Sequence, residues 1–299
     1  MASTYPMALP VRFQSYTSKL GDFYTLTKPE VNLLILMTTS AGYYLASQGT
    51  FHFAGLINTL IGTLMVASGT ATLNQWMERV WDGEMRRTAD RPLPSGRLSS
   101  RTALIFGLLL SAGGGFYLAL TVNSMSAILA TTTLLSYLLV YTPLKRKTAL
   151  CTMLGAIPGA MPTLIGWAGA SGQIDRHALG LFAALFLWQF PHFLAIALMY
   201  RDDYARAGYH MLPHFDLDST FTRGEILAFT VALIATTMLP LMGHAGPLYL
   251  VGMALAGSFF LYHAAKLTKS SSEVLASRLV RASVIYLPVV LIIMMIGKA

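Results

Sequence analysis

Charge is scarce in this chain. Only 11% of its 299 residues are Asp, Glu, Lys or Arg and 55% are hydrophobic, whereas soluble domains carry about 25% charge. With a mean hydropathy of +0.57, an ordinary soluble enzyme is excluded and a chain crossing a bilayer many times is indicated. Cysteine is nearly absent: Cys151 stands alone, which excludes an intrachain disulfide framework and leaves it a small packed residue. No cleavable signal peptide is apparent, because the first apolar run begins near Val31, too late and too long for an h-region. Residues 1–27 are polar to mixed, and Arg12 is their only arginine. They read as a cytoplasmic, interfacial or loose segment, not an Arg-rich presequence, so a bacterial inner membrane is expected. Low-complexity tracts and a hinge that would set off a soluble domain are also missing. Residues 1–299 therefore read as one intramembrane domain.

What is present is a series of apolar runs of spanning length. Nine membrane helices are predicted, near 31–48, 52–75, 102–121, 124–141, 149–170, 178–200, 223–243, 246–265 and 279–297, giving an all-α polytopic membrane protein. The joins alternate. Short ones carry Gly, Ser or Pro, as at Ser47-Gln48-Gly49 and from Gly243 to Pro247; long ones, 76–101, 201–222 and 266–278, are charged. Of the 21 Lys and Arg, only Arg176 and Lys298 fall on the side opposite the long joins. The positive-inside rule then puts the N-terminus and the long loops in the cytoplasm and the C-terminus outside. The net charge of +8 is thus read as a membrane-face signal, and no nucleic-acid partner is expected. Acidic residues barely affect orientation, yet 12 of the 13 share the cytoplasmic side, Asp175 being the exception. That clustering points to a site.

The richest stretch follows the second span: Asn74, Glu78 and Asp82, each four residues after the last, then Arg86, Arg87, Arg91 and Arg97. Four-residue steps drift only ~40° around a helix, so an amide and two carboxylates share one face. Mg²⁺ prefers hard oxygen ligands and is often held by one or two carboxylates plus substrate phosphates, while guanidinium forks suit phosphate. Metal ligands beside arginines describe a diphosphate site; a solvated, charge-mixed loop is the bland alternative. A second charged loop, Tyr200-Arg201-Asp202-Asp203-Tyr204-Ala-Arg206, closes the sixth span, four helices later. It suggests a weak pseudo-repeat around a shared cavity, with Asp203, and Asp202 beside it, for a second Mg²⁺. Loops 76–101 and 201–222 are therefore the expected active-site loops.

At these residues the chain resembles a known family. Asn74-x₃-Glu78-x₃-Asp82 followed by Met85-x-Arg87-Thr88-x-x-Arg91-Pro92-Leu93 resembles the first aspartate-rich loop of the UbiA superfamily of intramembrane prenyltransferases. More narrowly it is similar to the protoheme IX farnesyltransferase branch. So do Tyr141-Thr142-Pro143-Leu144-Lys145-Arg146, Gly155 to Pro162 with Gly166-Trp167, and Trp188-Gln189-x-Pro191-His192-Phe193 with Asp203-Tyr204 resemble that branch. The likeness runs from Thr27-Lys28-Pro29 to the ninth span. Glu78 departs from the Asp of many members, and the second loop lacks the Asp-x₃-Asp of quinone-type relatives.

The resemblance implies a UbiA-type helix bundle and this reaction: farnesyl diphosphate, haem B and water give haem O and diphosphate. Mg²⁺ would sit on Asn74, Glu78, Asp82, Asp202 and Asp203, with Arg87, Arg91, Lys145, Arg146 and Arg201 on the departing oxygens. An apolar pocket shields the allylic cation from early water. Trp76, Trp81, Tyr141 and Tyr200 are aromatic faces for that cation, or interface anchors. Haem B enters as substrate, and histidines inside a membrane are candidates for its iron: His192, then His263. A haem A synthase or oxidase-assembly partner is a further expectation. A quinone-precursor or other aromatic or tetrapyrrole acceptor, a transporter with an ion site, and a non-catalytic haem-delivery factor are the competing readings. The carboxylates stand at one face, not mid-span, which disfavours transport.

Overall fold

A computed structural model describes residues 18–239, 246–270 and 272–298, and among them every regular element is a helix. In chain order these are α1 (Lys19–Leu26), α2 (Pro29–Ala46), α3 (Phe53–Asp82), α4 (Ser100–Thr121), α5 (Ser124–Leu144), α6 (Cys151–Ser171), α7 (Arg176–Met199), α8 (Arg201–Arg206), α9 (Leu212–Phe215), α10 (Thr220–Met238), α11 (Pro247–Thr268) and α12 (Glu273–Ile296). Arg12 and the predicted end of the seventh span, 240–243, lie outside the described residues.

Eight of these helices, α3–α7 and α10–α12, are long and apolar enough to cross a membrane, where the sequence predicts nine. The difference is α2. It opens on Pro29, Glu30 and Asn32 and carries Thr38, Thr39 and Ser40, so its composition falls short of the others. Its polar groups turn inward: Asn32, Thr38 and Thr39 are buried, and Asn32 Nδ2 donates to the Thr27 carbonyl (2.9 Å) and Ser68 Oγ (2.8 Å). α2 packs on α6 where Gly42 faces the Thr163 carbonyl and Gly166 the Thr39 carbonyl; a Cβ on either glycine would overlap backbone. Small residues permit such backbone-to-backbone approach in membrane bundles.

Two boundaries move in a way that matters. The second predicted span, 52–75, continues to Asp82 in α3. At 1.5 Å per residue those 30 residues reach ~45 Å, well beyond a ~30 Å hydrocarbon core. The surplus is the turns that carry Asn74, Glu78 and Asp82. α12 likewise begins at Glu273, shortening the predicted 266–278 loop. α5 departs from regular geometry: Ser136–Tyr141 forms a π turn, the kind of local widening that recurs at functional sites. It sets Tyr137 and Tyr141 side by side, ring centroids 5.0 Å apart.

The core away from the site is aromatic and aliphatic. Phe190 of α7 stacks on Phe229 of α10 at 3.8 Å, and Phe260 of α11 on Tyr286 of α12 at 4.8 Å. At the charged end, α1 is docked by Arg97, whose Nε donates to Asp22 Oδ1 at 2.8 Å, and by Gln75, whose Nε2 donates to the Leu26 carbonyl.

Candidate active site

Helix periodicity does what the spacing predicts on α3. Asn74, Glu78 and Asp82 lie on one face, all buried, and line one polar cavity of about 120 Å³. Asn74 Nδ2 donates to Glu78 Oε2 (2.9 Å) and to Thr142 Oγ1 (3.1 Å). Lys145, just past α5, reaches Glu78 Oε1 at 2.9 Å, and Arg91 reaches Asp82 Oδ2 at 2.7 Å. Arg87, Tyr204 and Tyr209 complete the wall. Chain ends from α2, α3, α5 and the loop after α8 thus meet at one end of the bundle.

Four wall residues are absent from the sequence-derived site, Tyr137, Tyr209, Met211 and, the only cation among them, Lys28. It precedes α2 in a left-handed conformation, φ 52°, and donates from Nζ to Asn74 Oδ1 at 3.0 Å. Burial and then the neighbouring Arg91 and Lys145 charges push its pKa down to about 7, against the opposing pull of Glu78 and Asp82. Lys145 behaves oppositely. Burial works to lower it, but Glu78 and the surrounding tyrosines hold it well above the usual lysine value. Burial, then the Glu78 carboxylate, pushes the Tyr209 phenol upward. The cavity presents four cations, Lys28, Arg87, Arg91 and Lys145, to two carboxylates, Glu78 and Asp82, a surplus suited to a polyanion.

The polar cavity adjoins a larger apolar one of about 270 Å³ inside the bundle, walled by α2, α3, α5, α6 and α7. Lys28, Tyr137 and Tyr141 border both, so a lysine and two phenols stand at the junction. The Tyr141 ring seats against Gly155 of α6, where a Cβ would overlap it. Lys145 Nζ lies 4.6 Å from its centroid, a cation–π contact.

The second charged loop is placed differently. Asp203 accepts from the Arg87 backbone N–H (3.3 Å) and pairs with Arg206. With Asp202, Arg201, Arg206 and Arg86 it lines a neighbouring crevice, not the cavity of Asp82. Among the described residues no three His, Cys, Asp or Glu side chains come together as a metal cluster. The Arg201 guanidinium donates to the Leu217 and Asp216 carbonyls. Arg146 stacks 4.3 Å over Trp81 and Arg97 pairs with Asp22; neither lines the polar cavity. Trp76 donates from Nε1 to Ser100 Oγ, and Tyr200 holds Arg87 at 4.9 Å. His192 stacks on Trp188 at 4.7 Å, its Nδ1 2.7 Å from Ser283 Oγ. His263 sits beside Phe259 and Tyr262. Neither histidine borders the two adjoining cavities.

The chain is 47% identical to the protoheme IX farnesyltransferase of Solibacter usitatus (strain Ellin6076), over 93% of this chain and 99% of that protein. It is 38% identical to the protein of the same name from Koribacter versatilis (strain Ellin345), over 99% and 98%. In fold it is similar to a digeranylgeranylglyceryl phosphate synthase, with a TM-score of 0.76 at 18% identity over 94% of this chain and 99% of that one. A UbiA homologue from Archaeoglobus fulgidus, solved with GPP and Mg²⁺, gives 0.65 at 13% identity over 91% and 99%. The model of the UbiA prenyltransferase family matches residues 35–285. A bundle of apolar helices opening at its charged end onto a buried Asn-Glu-Asp face, with curated relatives at this level of identity, belongs to the UbiA prenyltransferase family.

Proposed function

We propose that this protein transfers a farnesyl group from farnesyl diphosphate to a vinyl group of haem B with addition of water, giving haem O. The observation that carries the reading is the pair of adjoining cavities. One is small, polar and cation-rich; the other is larger and apolar, and Lys28, Tyr137 and Tyr141 stand between them. An amphiphile with a diphosphate head and an isoprenoid tail fits that division. The names of the curated relatives, both protoheme IX farnesyltransferases, support haem as acceptor.

Asn74, Glu78 and Asp82 suit Mg²⁺: three hard oxygen donors, buried on one helix face at the cavity wall, with diphosphate oxygens left to complete the shell. When bound, the ion neutralises charge that builds on the leaving diphosphate. The chain's own residues do the rest. Lys28, Arg91 and Lys145, held at the cavity wall by Asn74, Asp82 and Glu78, would stabilise charge on the departing oxygens as it develops. Tyr137 and Tyr141 offer ring faces to the allylic cation at the junction, as Tyr141 already does to Lys145. The apolar walls keep bulk water from that cation. We assign Asp203 to holding the Arg87 backbone in place, and through it the wall of the polar cavity, with Asp202 beside it in the crevice and Arg201 bracing the 216–217 turn of its own loop. His192 and His263 are the candidates for contact with the haem iron, and Arg146 for an outer charge near the diphosphate.

We read the protein as an inner-membrane enzyme whose site faces the cytoplasm, passing its product to a haem A synthase or an oxidase under assembly. The test is chemical. Purified protein in proteoliposomes receives farnesyl diphosphate, Mg²⁺ and either haem B or 4-hydroxybenzoate, and products are weighed by mass spectrometry. A haem heavier by one farnesyl group and one hydroxyl is expected; prenylated benzoate alone would overturn the reading.

A further inference from the structure

Most polar groups on the wall of the apolar cavity are used up by their own helices. Thr38, Thr70 and Thr133 donate to carbonyls three or four residues back. Gln189 of α7 differs. It is 2% exposed and lines the chamber. Its Nε2 donates to the Ala156 carbonyl of α6 at 2.9 Å and reaches the Leu185 carbonyl at 3.4 Å. Two carbonyl acceptors on the same nitrogen fix which way the amide faces, since a flipped amide would set oxygen against oxygen. The Oε1 atom is therefore a pure acceptor. It lies where a Cβ on Gly159 would be, and any side chain there would displace it.

Its depth is set by α6. Tyr141 seats on Gly155 and Gln189 on Gly159, four residues and ~6 Å further along the helix. The Gln189 oxygen is thus about one turn inward from the ring that borders both cavities.

The reaction proposed above asks for a polar group on the chamber side of the junction. The farnesyl C–O bond breaks at the junction, its electron pair leaving with diphosphate. The vinyl π pair then forms the new carbon–carbon bond to the terminal vinyl carbon. The positive charge moves to the vinyl carbon attached to the porphyrin, one atom further from the diphosphate. A water oxygen must bond there, and its surplus proton ends on the diphosphate or in solvent. If no water is held in place, the same cation sheds a proton from its neighbouring carbon and gives an alkene.

We infer that the Gln189 carboxamide oxygen, seated on Gly159, holds the water that quenches the acceptor cation, and so decides between hydration and proton loss. The inference rests on haem farnesylation being the reaction. An amide oxygen is too weak a base to keep the proton; its part is to orient the water's lone pair at the carbon and accept a hydrogen bond from it. The roles divide by depth: Lys28, Arg91 and Lys145 act on the leaving group, Gln189 on the last bond formed.

The test reads product identity. Wild type, Gln189→Met and Gly159→Ala, each checked for folding by thermal unfolding in detergent, are given farnesyl diphosphate, haem B and Mg²⁺. Hydroxylated product and the product lighter by one water are quantified under one work-up. Gln189→Met removes the acceptor at similar volume; Gly159→Ala leaves Gln189 in place but displaces its oxygen. In both, the hydroxylated-to-alkene ratio is expected to fall about tenfold, the worth of one hydrogen bond, while farnesyl diphosphate consumption changes much less. A ratio unchanged in both folded variants overturns the inference. So does loss of all product in both, which would move Gln189 to the prenyl-transfer step. No haem product from wild type overturns the proposed reaction itself, a distinct failure.

Discussion

Asp82 is the sharpest point at which to press the proposed chemistry. Its side chain is buried, it borders the polar cavity, and Arg91 Nη1 approaches Oδ2 at 2.7 Å. Asp82→Asn keeps the volume and an oxygen for Arg91 but removes the charge. The structural cost is bounded: Arg91 is 21% exposed and stays hydrated, so stability should fall by about 1–3 kcal/mol, the range for a weakened hydrogen bond to a charged group. The catalytic cost is larger. Asp82 would act through the Mg²⁺ it helps hold, and weakening that ion's hold on the leaving diphosphate should cost about as much as losing one preorganised electrostatic contact, about 10²–10³ in kcat, or about 2.7–4 kcal/mol. Asp203→Asn is the internal control. Asp203 touches the Arg87 backbone from the neighbouring crevice, so its loss should cost less than about tenfold. Haem O formation in proteoliposomes, titrated with Mg²⁺, gives the rates, and thermal unfolding gives the stabilities. Asp82→Asn within about threefold of wild type, under 1 kcal/mol, would refute the assignment. Asp203→Asn as damaging as Asp82→Asn would restore a joint metal site.

Two further substitutions test the rest of the wall. Lys28→Met removes the cation at the junction; KM for farnesyl diphosphate should rise at least about tenfold, as one charge-assisted hydrogen bond is lost, and an unchanged KM in steady-state kinetics would exclude Lys28 from the diphosphate. Lys145→Met strands Glu78 as a buried, unpaired carboxylate and should destabilise the protein by about 3–5 kcal/mol. Glu78→Gln with Lys145→Met should recover much of that in denaturant unfolding, and equal stability of single and double variants would show that the pair is not coupled.

The site was legible where helical geometry alone fixes it. Four-residue spacing put Asn74, Glu78 and Asp82 on one face of α3, and the structure has them there. What a linear reading missed depends on non-local approach. Lys28 enters only because a left-handed residue before Pro29 turns it back onto Asn74. Arg146 and Arg201 look equivalent to Lys145 and Arg91 in the sequence; in space one stacks on Trp81 and the other holds loop carbonyls. Composition alone passes over α2, the first of the nine predicted spans, for a related reason. Hydropathy treats polar residues as costs, and cannot tell that Asn32 and Thr38 face an internal wall.

The π turn of α5 explains how the two cavities come to share a border. In a regular helix, Tyr137 and Tyr141 would continue the face of Thr133, each four residues after the last. A π turn adds one residue per turn and swings the following side chains by about one residue's arc. Past that turn the Tyr141 ring seats against Gly155, whose missing Cβ makes room for it, with the Tyr137 ring beside it. The next residues, Thr142 and Lys145, then reach Asn74 and Glu78 on α3. One irregular turn therefore lines the junction, fills the apolar side with rings and delivers the polar side's lysine. Straightening it should draw Lys145, proposed above to contact the diphosphate, away from Glu78 and the mouth of the apolar chamber without removing a single charged residue.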